Sequence, residues 1–203
     1  MSDKQKMLQA IRSRTLDAVE LPDLNRTWIT YADRCRQFAD SLQFVGGRCV
    51  LVDRTEQIND VLREHPAFAS AKKIVSHVAA VSGNVDLNTV EDPHLLEDVD
   101  FAIMPGHFGV AENGAVWITD EGVYQRAIYF IVQHLVLVID ADQLVDNMYQ
   151  AYQRIDAGHR GFAAFISGPS KTADIEQSLV IGAHGPRSMT VILVEGKEMT
   201  KGQ

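Results

Sequence analysis

Cysteine is scarce in this sequence, because Cys35 and Cys49 are the only two among 203 residues. They stand too far apart for a CxxC motif, and two thiols are too few to hold an iron–sulfur cluster. The HExxH, EF-hand, GxSxG and GxGxxG patterns are missing as well. We therefore predict no metal site and no cofactor of the chain's own, and two reduced, half-buried thiols.

Long apolar runs are also missing. No stretch approaches the roughly 20 residues that a membrane-spanning helix needs. The first residues, MSDKQKMLQAIRSR, are polar and amphipathic and lack the apolar region of a signal peptide. These two absences predict that the protein does not insert into membranes and is cytoplasmic.

Positive charge is in deficit, since 19 Lys and Arg face 27 Asp and Glu, for a formal net charge of −8. No basic excess is present to pair with phosphates, which argues against nucleic-acid binding. Between Lys73 and Arg126 there is no Lys or Arg, whereas acidic side chains recur across residues 84–121. This segment is either a solvated acidic face or a docking surface for a basic partner protein.

What the sequence does contain is short apolar runs that alternate with amphipathic segments. β-Rich runs occupy residues 48–53, 73–81, 100–104, 133–140, 162–166 and 190–194. Helical spacing marks residues 4–14, 30–44, 55–64 and 141–155, the last with Leu144, Val145, Met148 and Tyr152 expected inward. The alternation predicts an α/β fold with a mainly parallel sheet flanked by helices. We expect a helical lead-in over residues 1–47 and one compact α/β domain over residues 48–203.

A hairpin signal interrupts this alternation at residues 108–119. Asn113-Gly114 lies between two β-rich runs, and both residues tolerate a positive φ. We predict an antiparallel hairpin inserted in the mainly parallel sheet. Glu112 precedes the turn, where a carboxylate held rigidly could act as a nucleophile or general base. The alternative is a polar strand-end residue beside an ordinary turn.

The loop SGPSKT follows an apolar run and precedes a segment that we predict to be a short helix. It carries the hydroxyls of Ser167, Ser170 and Thr172, the flexible Gly168 and the cation of Lys171. Thr172 is the expected N-cap, and Asp174 falls in the first turn, where the helix dipole favours anions. Backbone amides at a helix start form anion or phosphate cradles. The alternative is an ordinary capped helix with an exposed lysine.

A second loop, GAHGPR, follows the predicted helix. It places His184 and Arg187 on either side of Gly185, which lets a backbone approach a ligand closely. The alternative is a glycine-rich turn with a solvent-exposed histidine. Because both loops flank one short helix, they could face one pocket. His134 opens an apolar strand, where the alternative to a binding role is a satisfied core or strand-end histidine. His107 follows another strand as a weaker candidate.

The pair of segments SGPSKTADIE and IGAHGPRSMTVILVE resembles the signature of the LutC/YkgG lactate-utilisation family, the LUD domain. GVAENGAVWI and QHLVLVID stand in the order that this family places its preceding elements. The resemblance covers roughly residues 48–196. It implies a fold similar to the NagB/RpiA/CoA-transferase group. It also implies a role in bacterial oxidation of L-lactate to pyruvate, with two partners that carry the iron–sulfur and redox chemistry.

Two positions depart from the family's pattern. Lys171 stands where the family commonly has Arg, which replaces a bidentate anion ligand with a point charge. Glu112-Asn113-Gly114 stands where the family commonly has Glu-Thr-Gly. The Glu-Asn-Gly sequence is similar to the motif that carries the glutamate nucleophile of CoA transferases in the same fold group.

Three functions therefore remain open from the sequence. The first is a non-redox subunit of a lactate-utilisation system that binds a small anionic, CoA- or phosphate-bearing ligand. The second is an acyl- or CoA-transferring enzyme with Glu112 as nucleophile. The third is an assembly module without chemistry of its own. For the first, the expected ligand-binding residues are Ser167, Gly168, Ser170, Lys171, Thr172, Asp174, His184, Gly185, Arg187, Asn113, Gly114 and His134.

Overall fold

The protein is described by a computed structural model that covers residues 2–14, 19–20, 22–23, 26–155, 158, 161–175, 178–182 and 185–196. Its elements, in chain order, are α1 (Asp3–Arg12), α2 (Arg34–Phe44), β1 (Arg48–Val52), α3 (Ile58–Arg63), β2 (Ile74–Ser76), β3 (Phe101–Pro105), β4 (Phe108–Val110), β5 (Ala115–Thr119), α4 (Ile128–Ile131), β6 (His134–Asp140), β7 (Leu144–Val145), α5 (Met148–Arg154), β8 (Ala163–Ile166), β9 (Lys171–Ile175), β10 (Ser178–Ile181) and β11 (Ser188–Val194).

A parallel sheet of five strands forms the centre of the fold, in the order β1-β11-β6-β3-β2. Its middle strands read as continuous apolar runs, because both faces of a parallel sheet are covered. Residues 135–139 of β6 are all at most 2% exposed. The predicted α/β fold with a mainly parallel sheet is therefore confirmed.

Each face of this sheet carries its own cluster of buried side chains. Phe38 and Leu42 of α2 are completely buried on one face, where they pack with the second sheet described below. Ile58 and Leu62 of α3 are buried on the other face. Burial of each such side chain stabilises the fold by about 1.5–3 kcal/mol. These helical faces were predicted from spacing, and the half-buried state of Cys35 and Cys49 is confirmed as well.

The predicted hairpin is present, but it belongs to a second sheet instead of the parallel one. β4 and β5 pair antiparallel, with Val110 opposite Ala115, and the order of this sheet is β7-β4-β5-β8. The loop between them has φ = 66° at Gly114, as the Asn-Gly signal requires. A Cβ on Gly114 would lie 2.6 Å from the backbone nitrogen of Leu42, so the hairpin loop packs directly on α2.

The prediction of a helix after the SGPSKT loop is wrong. β9 and β10 form an antiparallel pair there, with Thr172 opposite Val180 and Ile175 opposite Ser178. Thr172 therefore opens no helix. Threonine favours turns and strands as readily as helix caps, and the β-branched residues on both sides of the pair favour a strand. Asp174 lies in β9, in a strand and not in a first helical turn.

The helix predicted for residues 141–155 is also shorter than expected. Leu144 and Val145 pair with β4 as strand β7, and α5 begins only at Met148, capped by the side chain of Asn147. Between these elements, Asp146 is buried and accepts hydrogen bonds from the Tyr31 amide and the Arg34 guanidinium. Tyr152, which we expected to face inward, is 66% exposed.

α1 differs from the other long helix because none of its residues is buried. Ser2 caps its amino terminus, and the side-chain oxygen of Gln5 accepts a hydrogen bond from the Ser2 amide. Its apolar residues Met7 and Ile11 are 67% and 62% exposed. Local capping, and not packing, therefore accounts for this helix.

Candidate functional site

The two loops singled out in the sequence lie side by side. The amide of Ser170 donates to the carbonyl of Pro186 at 2.9 Å, and the amide of Gly182 donates to the carbonyl of Ser170 at 3.0 Å. Gly185 packs so closely that an added Cβ would lie 2.9 Å from the Cβ of Ser170. The loops do share one location, although a β-hairpin, and not a helix, connects them.

Most of the polar groups in the first loop are engaged within the protein. The Ser167 hydroxyl donates to the carbonyl of Asn113 at 2.7 Å, and the Lys171 ammonium donates to the carbonyl of Val45 at the end of α2. Gly168 adopts φ = 74°, and an added Cβ would lie 2.7 Å from the Val45 carbonyl oxygen. These contacts attach the loop to α2 and to the β4–β5 hairpin. His184 lies outside the described residues.

Glu112 is exposed on the hairpin loop, but its carboxylate turns towards α5. Its Oε2 accepts a hydrogen bond from the Met148 amide at 2.9 Å, at the first residue of that helix. The Ser41 hydroxyl donates to the carbonyl of Ala111 at 2.8 Å, and the Asn113 side chain accepts from the Ala115 amide at 3.1 Å. These hydrogen bonds connect the hairpin loop to α2, to β5 and to α5. Glu112 accepts the hydrogen bond of the first backbone amide of α5.

His134 and Arg187 lie where the parallel strands begin, beside the loop pair. His134 is the first residue of β6, and its Nδ1 is 2.8 Å from the hydroxyl of Ser188, the first residue of β11. The Arg187 side chain is exposed, and its amide donates to the carbonyl of Gln133. An added Cβ on Gly182 would lie 2.5 Å from the Cγ of Arg187, so Arg187 packs against the loop pair. The hairpin loop, the loop pair and the amino edge of the sheet therefore adjoin one another.

The opposite edge of the parallel sheet holds a cavity of about 1180 Å³, which we call the edge cavity. It lies where β2, β3 and β6 end, and open α/β sheets bind ligands at such carboxyl ends. β2 is shorter than predicted, because the Ser76 hydroxyl bonds with the backbone of Val78 and the chain turns into the cavity wall. The polar side chains that line it are those of Thr55, Ser76, His77, Asn84, Asp86, Asn88, His107, Thr119, Glu121, Tyr129, Asp140 and Gln143.

Asp140 is the side chain of the edge cavity with an unmet hydrogen-bonding demand. Its Oδ1 is buried and has no hydrogen-bond partner among the described residues. Burial, with the nearby Asp142 charge, raises the pKa of the Asp140 carboxyl. A carboxyl group in this state can donate or accept a hydrogen bond at a ligand. No pattern in the sequence pointed to Asp140, which ends an apolar strand like any polar boundary residue.

Two histidines complete the polar wall. Burial lowers the pKa of His77, although the Asp86 carboxylate acts in the opposite direction. His107, the weaker candidate from the sequence, has its Nε2 2.8 Å from the Thr119 hydroxyl. Asp86, Glu121 and Asp140 contribute carboxyl groups, whereas no lysine or arginine is found among the lining residues that the structure describes. The edge cavity therefore favours neutral or cationic polar ligands over anions.

The acidic segment of residues 84–121 is distributed over several contacts. Asp86 and Glu121 line the edge cavity, and Asp98 forms an ion pair with Lys73 at 2.6 Å. Asp100 accepts the amides of Lys72 and Lys73 through Oδ2. Within the described ranges, no cluster of three His, Cys, Asp or Glu side chains is arranged to hold a metal ion. None of the helices described is long and apolar enough to cross a membrane.

The five-stranded parallel sheet with helices on its faces and a second, smaller sheet defines an α/β protein. The sequence matches the LUD domain family over residues 72–194, more than half of the chain, and the protein belongs to that family. The resemblance stated from the SGPSKTADIE and GAHGPR segments is thereby confirmed.

Relatives and a solved structure agree with this assignment. The chain is 29% identical to Lactate utilization protein C of Bacillus pumilus over 123 residues, which covers 58% of the chain and 51% of that protein. It is 33% identical to Lactate utilization protein C of Shouchella clausii over 106 residues, covering 50% and 46%. The chain thus spans about half the length of these relatives. A DUF162 family protein from Deinococcus radiodurans superposes with a TM-score of 0.61 at 18% sequence identity. The match covers 82% of this chain and 99% of that one. At this identity the similarity supports the fold and not a function.

Proposed function

We propose that this protein serves bacterial L-lactate utilisation as a component without a redox centre of its own. The names of its relatives support a role in lactate utilisation. The raised pKa values of its two thiols support the proposal that this chain holds no iron–sulfur centre. Burial raises the pKa of Cys49 to about 12, and burial raises that of Cys35 as well. Thiolates, and not thiols, bind iron. The oxidation of lactate would then fall to partner proteins that carry iron–sulfur and other redox groups.

Its own contribution is to bind a polar organic ligand in the edge cavity. The observation that carries this proposal is the buried Oδ1 of Asp140, which has no partner among the described residues. Leaving such an atom unpaired costs about 1–3 kcal/mol of stability. A ligand that donates a hydrogen bond to this oxygen removes that cost, which favours its binding. Asp140 positions the ligand, and the neutral imidazole of His77, which follows β2 two strands away in the same sheet, offers a second donor or acceptor.

The charge of the edge cavity narrows the class of ligand. Three carboxyl groups and no described basic side chain line it, so free lactate, pyruvate and the phosphates of CoA are disfavoured there. An uncharged or cationic molecule is the expected occupant. The anionic ligand predicted from the sequence therefore belongs elsewhere on the protein, and a site for it is argued below.

Complementation tests this function. A strain that lacks the gene is supplied with the wild-type chain or with Asp140→Asn, and growth on L-lactate as sole carbon source is measured. Asp53→Asn is the matched control, because Asp53 follows strand β1 of the same sheet, is exposed and does not line the edge cavity. We expect Asp140→Asn to abolish or strongly slow growth at normal protein level and Asp53→Asn to leave it unchanged. Equal growth of the two variants would contradict the role of the edge cavity.

Acyl or CoA transfer is the second candidate, favoured by the exposed, braced position of Glu112. In that reaction its carboxylate attacks the carbonyl of an acyl-CoA, which forms a mixed anhydride and releases CoA thiolate. The thiolate then attacks the glutamyl carbonyl, which forms the glutamyl-CoA thioester and releases the acyl group as a free carboxylate. Incubation with an acyl-CoA and mass spectrometry of the intact protein would detect CoA bound through Glu112, and Glu112→Gln should lose it. The absence of any adduct would leave Glu112 with the capping contact to Met148 alone.

A further inference from the structure

Three neighbouring strands of the parallel sheet begin at one place. β1 starts at Arg48, β11 at Ser188 and β6 at His134, and these strands are adjacent in the sheet. Ser188 and His134 stand directly opposite each other. We call the set Arg48, His65, His134, Arg187 and Ser188 the amino-edge cluster. β6 has 7 residues, and a strand of that length separates this cluster from Asp140 by about 20 Å.

Two imidazoles in the cluster converge on one hydroxyl. The Ser188 hydroxyl is 2.8 Å from Nδ1 of His134 and 3.5 Å from Nε2 of His65. The ring centroids of the two histidines are 4.9 Å apart. The amide of Ala67 donates to Nδ1 of His65, so the neutral ring carries its proton on Nε2 and can direct it towards Ser188. The three polar side chains are partly buried at the strand starts.

The charges around the two rings come from four elements. Arg48 on β1 and Arg187 before β11 are exposed guanidinium groups. Arg48 pairs with Glu64 at the end of α3 at 3.3 Å, and Asp100 before β3 is held by two backbone amides. Among the described residues Arg187 forms no ion pair, so its guanidinium is available to an anion.

The rings themselves are held neutral by this environment. Burial lowers the pKa of His65, and Arg48 lowers it further. Burial also lowers the pKa of His134, with contributions from His65 and Arg187 that exceed the opposing effect of Asp100. An anion placed beside them would reverse that balance, because a negative charge favours the protonated ring.

We propose that the amino-edge cluster binds a small oxyanion, a phosphate or carboxylate group, between the Arg187 guanidinium and the His65–Ser188–His134 chain. Arg187 supplies a planar fork for two anion oxygens. The N–H on Nε2 of His134 supplies a further donor, because the His65 Nε2–H and the Ser188 O–H are engaged within the chain. Binding takes up protons onto the histidines, so the site binds its anion more tightly as the pH falls. This site is separate from the edge cavity, and it does not depend on the function proposed for that cavity.

The test uses sulfate, inorganic phosphate, L-lactate and pyruvate as probes of the full chain. Histidine side-chain NMR follows the titration of each ring, with His65→Gln and His134→Gln assigning the signals. Sulfate is the decisive probe, because its charge is constant over the range in which histidine titrates. We expect sulfate to raise the pKa of both rings saturably and its affinity to increase by up to about tenfold per pH unit for each proton taken up. The four probes distinguish a phosphate-type from a carboxylate-type anion.

Variants separate this site from general charge effects. Arg187→Gln should weaken sulfate binding by roughly tenfold or more, the loss expected for one charge-assisted contact. Arg63→Gln is the matched control, since Arg63 is an equally exposed guanidinium on α3 that pairs with Asp60. The proposal is overturned if no probe shifts either ring, or if Arg187→Gln binds sulfate as tightly as Arg63→Gln.

Discussion

At the scale of single residues, Gly114 and Gly122 share a backbone conformation and differ in their surroundings. Gly114 has φ = 66° and Gly122 has φ = 72°. A Cβ on Gly114 would lie 2.6 Å from the backbone nitrogen of Leu42, whereas a Cβ on Gly122 would meet no atom within 4 Å. The pair therefore separates the strain of a positive φ from the clash between the hairpin and α2.

This difference gives a quantitative prediction. Gly122→Ala should lower the free energy of unfolding by about 1 kcal/mol, the cost of a left-handed backbone. Gly114→Ala should lower it by about 2–4 kcal/mol, because the hairpin loop must also move away from α2. Urea unfolding of both variants measures the two losses. Equal losses would mean that the hairpin loop does not rest on α2.

At the scale of elements, the long helices α1 and α2 are stabilised by different forces. α1 has a capping box but no buried residue, whereas Phe38 and Leu42 of α2 are completely buried. Sequence spacing predicted an amphipathic helix for both. Spacing reports which residues could pack together, and only the folded chain decides whether a partner surface is present.

Removal of α1 tests this contrast. A chain that lacks residues 1–14 should unfold with a free energy within about 1 kcal/mol of the full chain, since only solvated contacts are lost. Leu42→Ala should cost about 2–5 kcal/mol through the cavity that it leaves in the core. Urea unfolding provides both values. A loss on removal of α1 as large as that of Leu42→Ala would mean that its apolar stripe packs in solution.

The β9–β10 pair shows where element prediction failed. Thr172 and Asp174 gave a helix-start pattern, and the same residue types are common in turns and strands. The two strands contain the β-branched residues Ile175, Val180 and Ile181, which favour a strand over a helix. Antiparallel pairing of β9 with β10 gives a hairpin instead of the predicted helix. By contrast, the apolar run of β6 was unambiguous, because its five central residues, 135–139, are buried and strands flank it on both sides.

At the scale of the whole molecule, histidine burial couples stability to pH. The pKa values of His65, His77 and His134 are all lowered in the folded chain, chiefly by burial. The unfolded chain, with histidine pKa values near about 6.5, then binds protons first as the pH falls. Stability contributed by the neutral rings is therefore complete above that value and is lost as the pH falls towards the folded pKa values. The raised pKa of Asp140 has the opposite effect, because its contribution to stability increases as the pH falls.

His134→Gln isolates the histidine contribution. We expect the wild-type chain to lose more stability than this variant between about pH 7.5 and 5.5, as measured by urea unfolding at each pH. His94→Gln is the control, because His94 is exposed and the hydrogen bond to the Asp92 carboxylate raises its pKa. The contribution of His94 to stability therefore grows as the pH falls, opposite to that of His134. A wild-type curve parallel to that of His134→Gln would contradict the lowered pKa.

The sequence by itself determined the elements whose signals are local or continuous. Buried apolar runs predicted the parallel sheet, Asn113-Gly114 predicted the hairpin, and the SGPSKTADIE and GAHGPR segments predicted the family. Where the polar groups meet depends on the folded chain. His77, His107 and Asp140 lie at the ends of three separate strands, and the order β6-β3-β2 brings them to one cavity. His65 follows α3, and the packing of α3 on the sheet brings it to His134 at the other edge. Strand order and helix packing both depend on long-range contacts that no local pattern records.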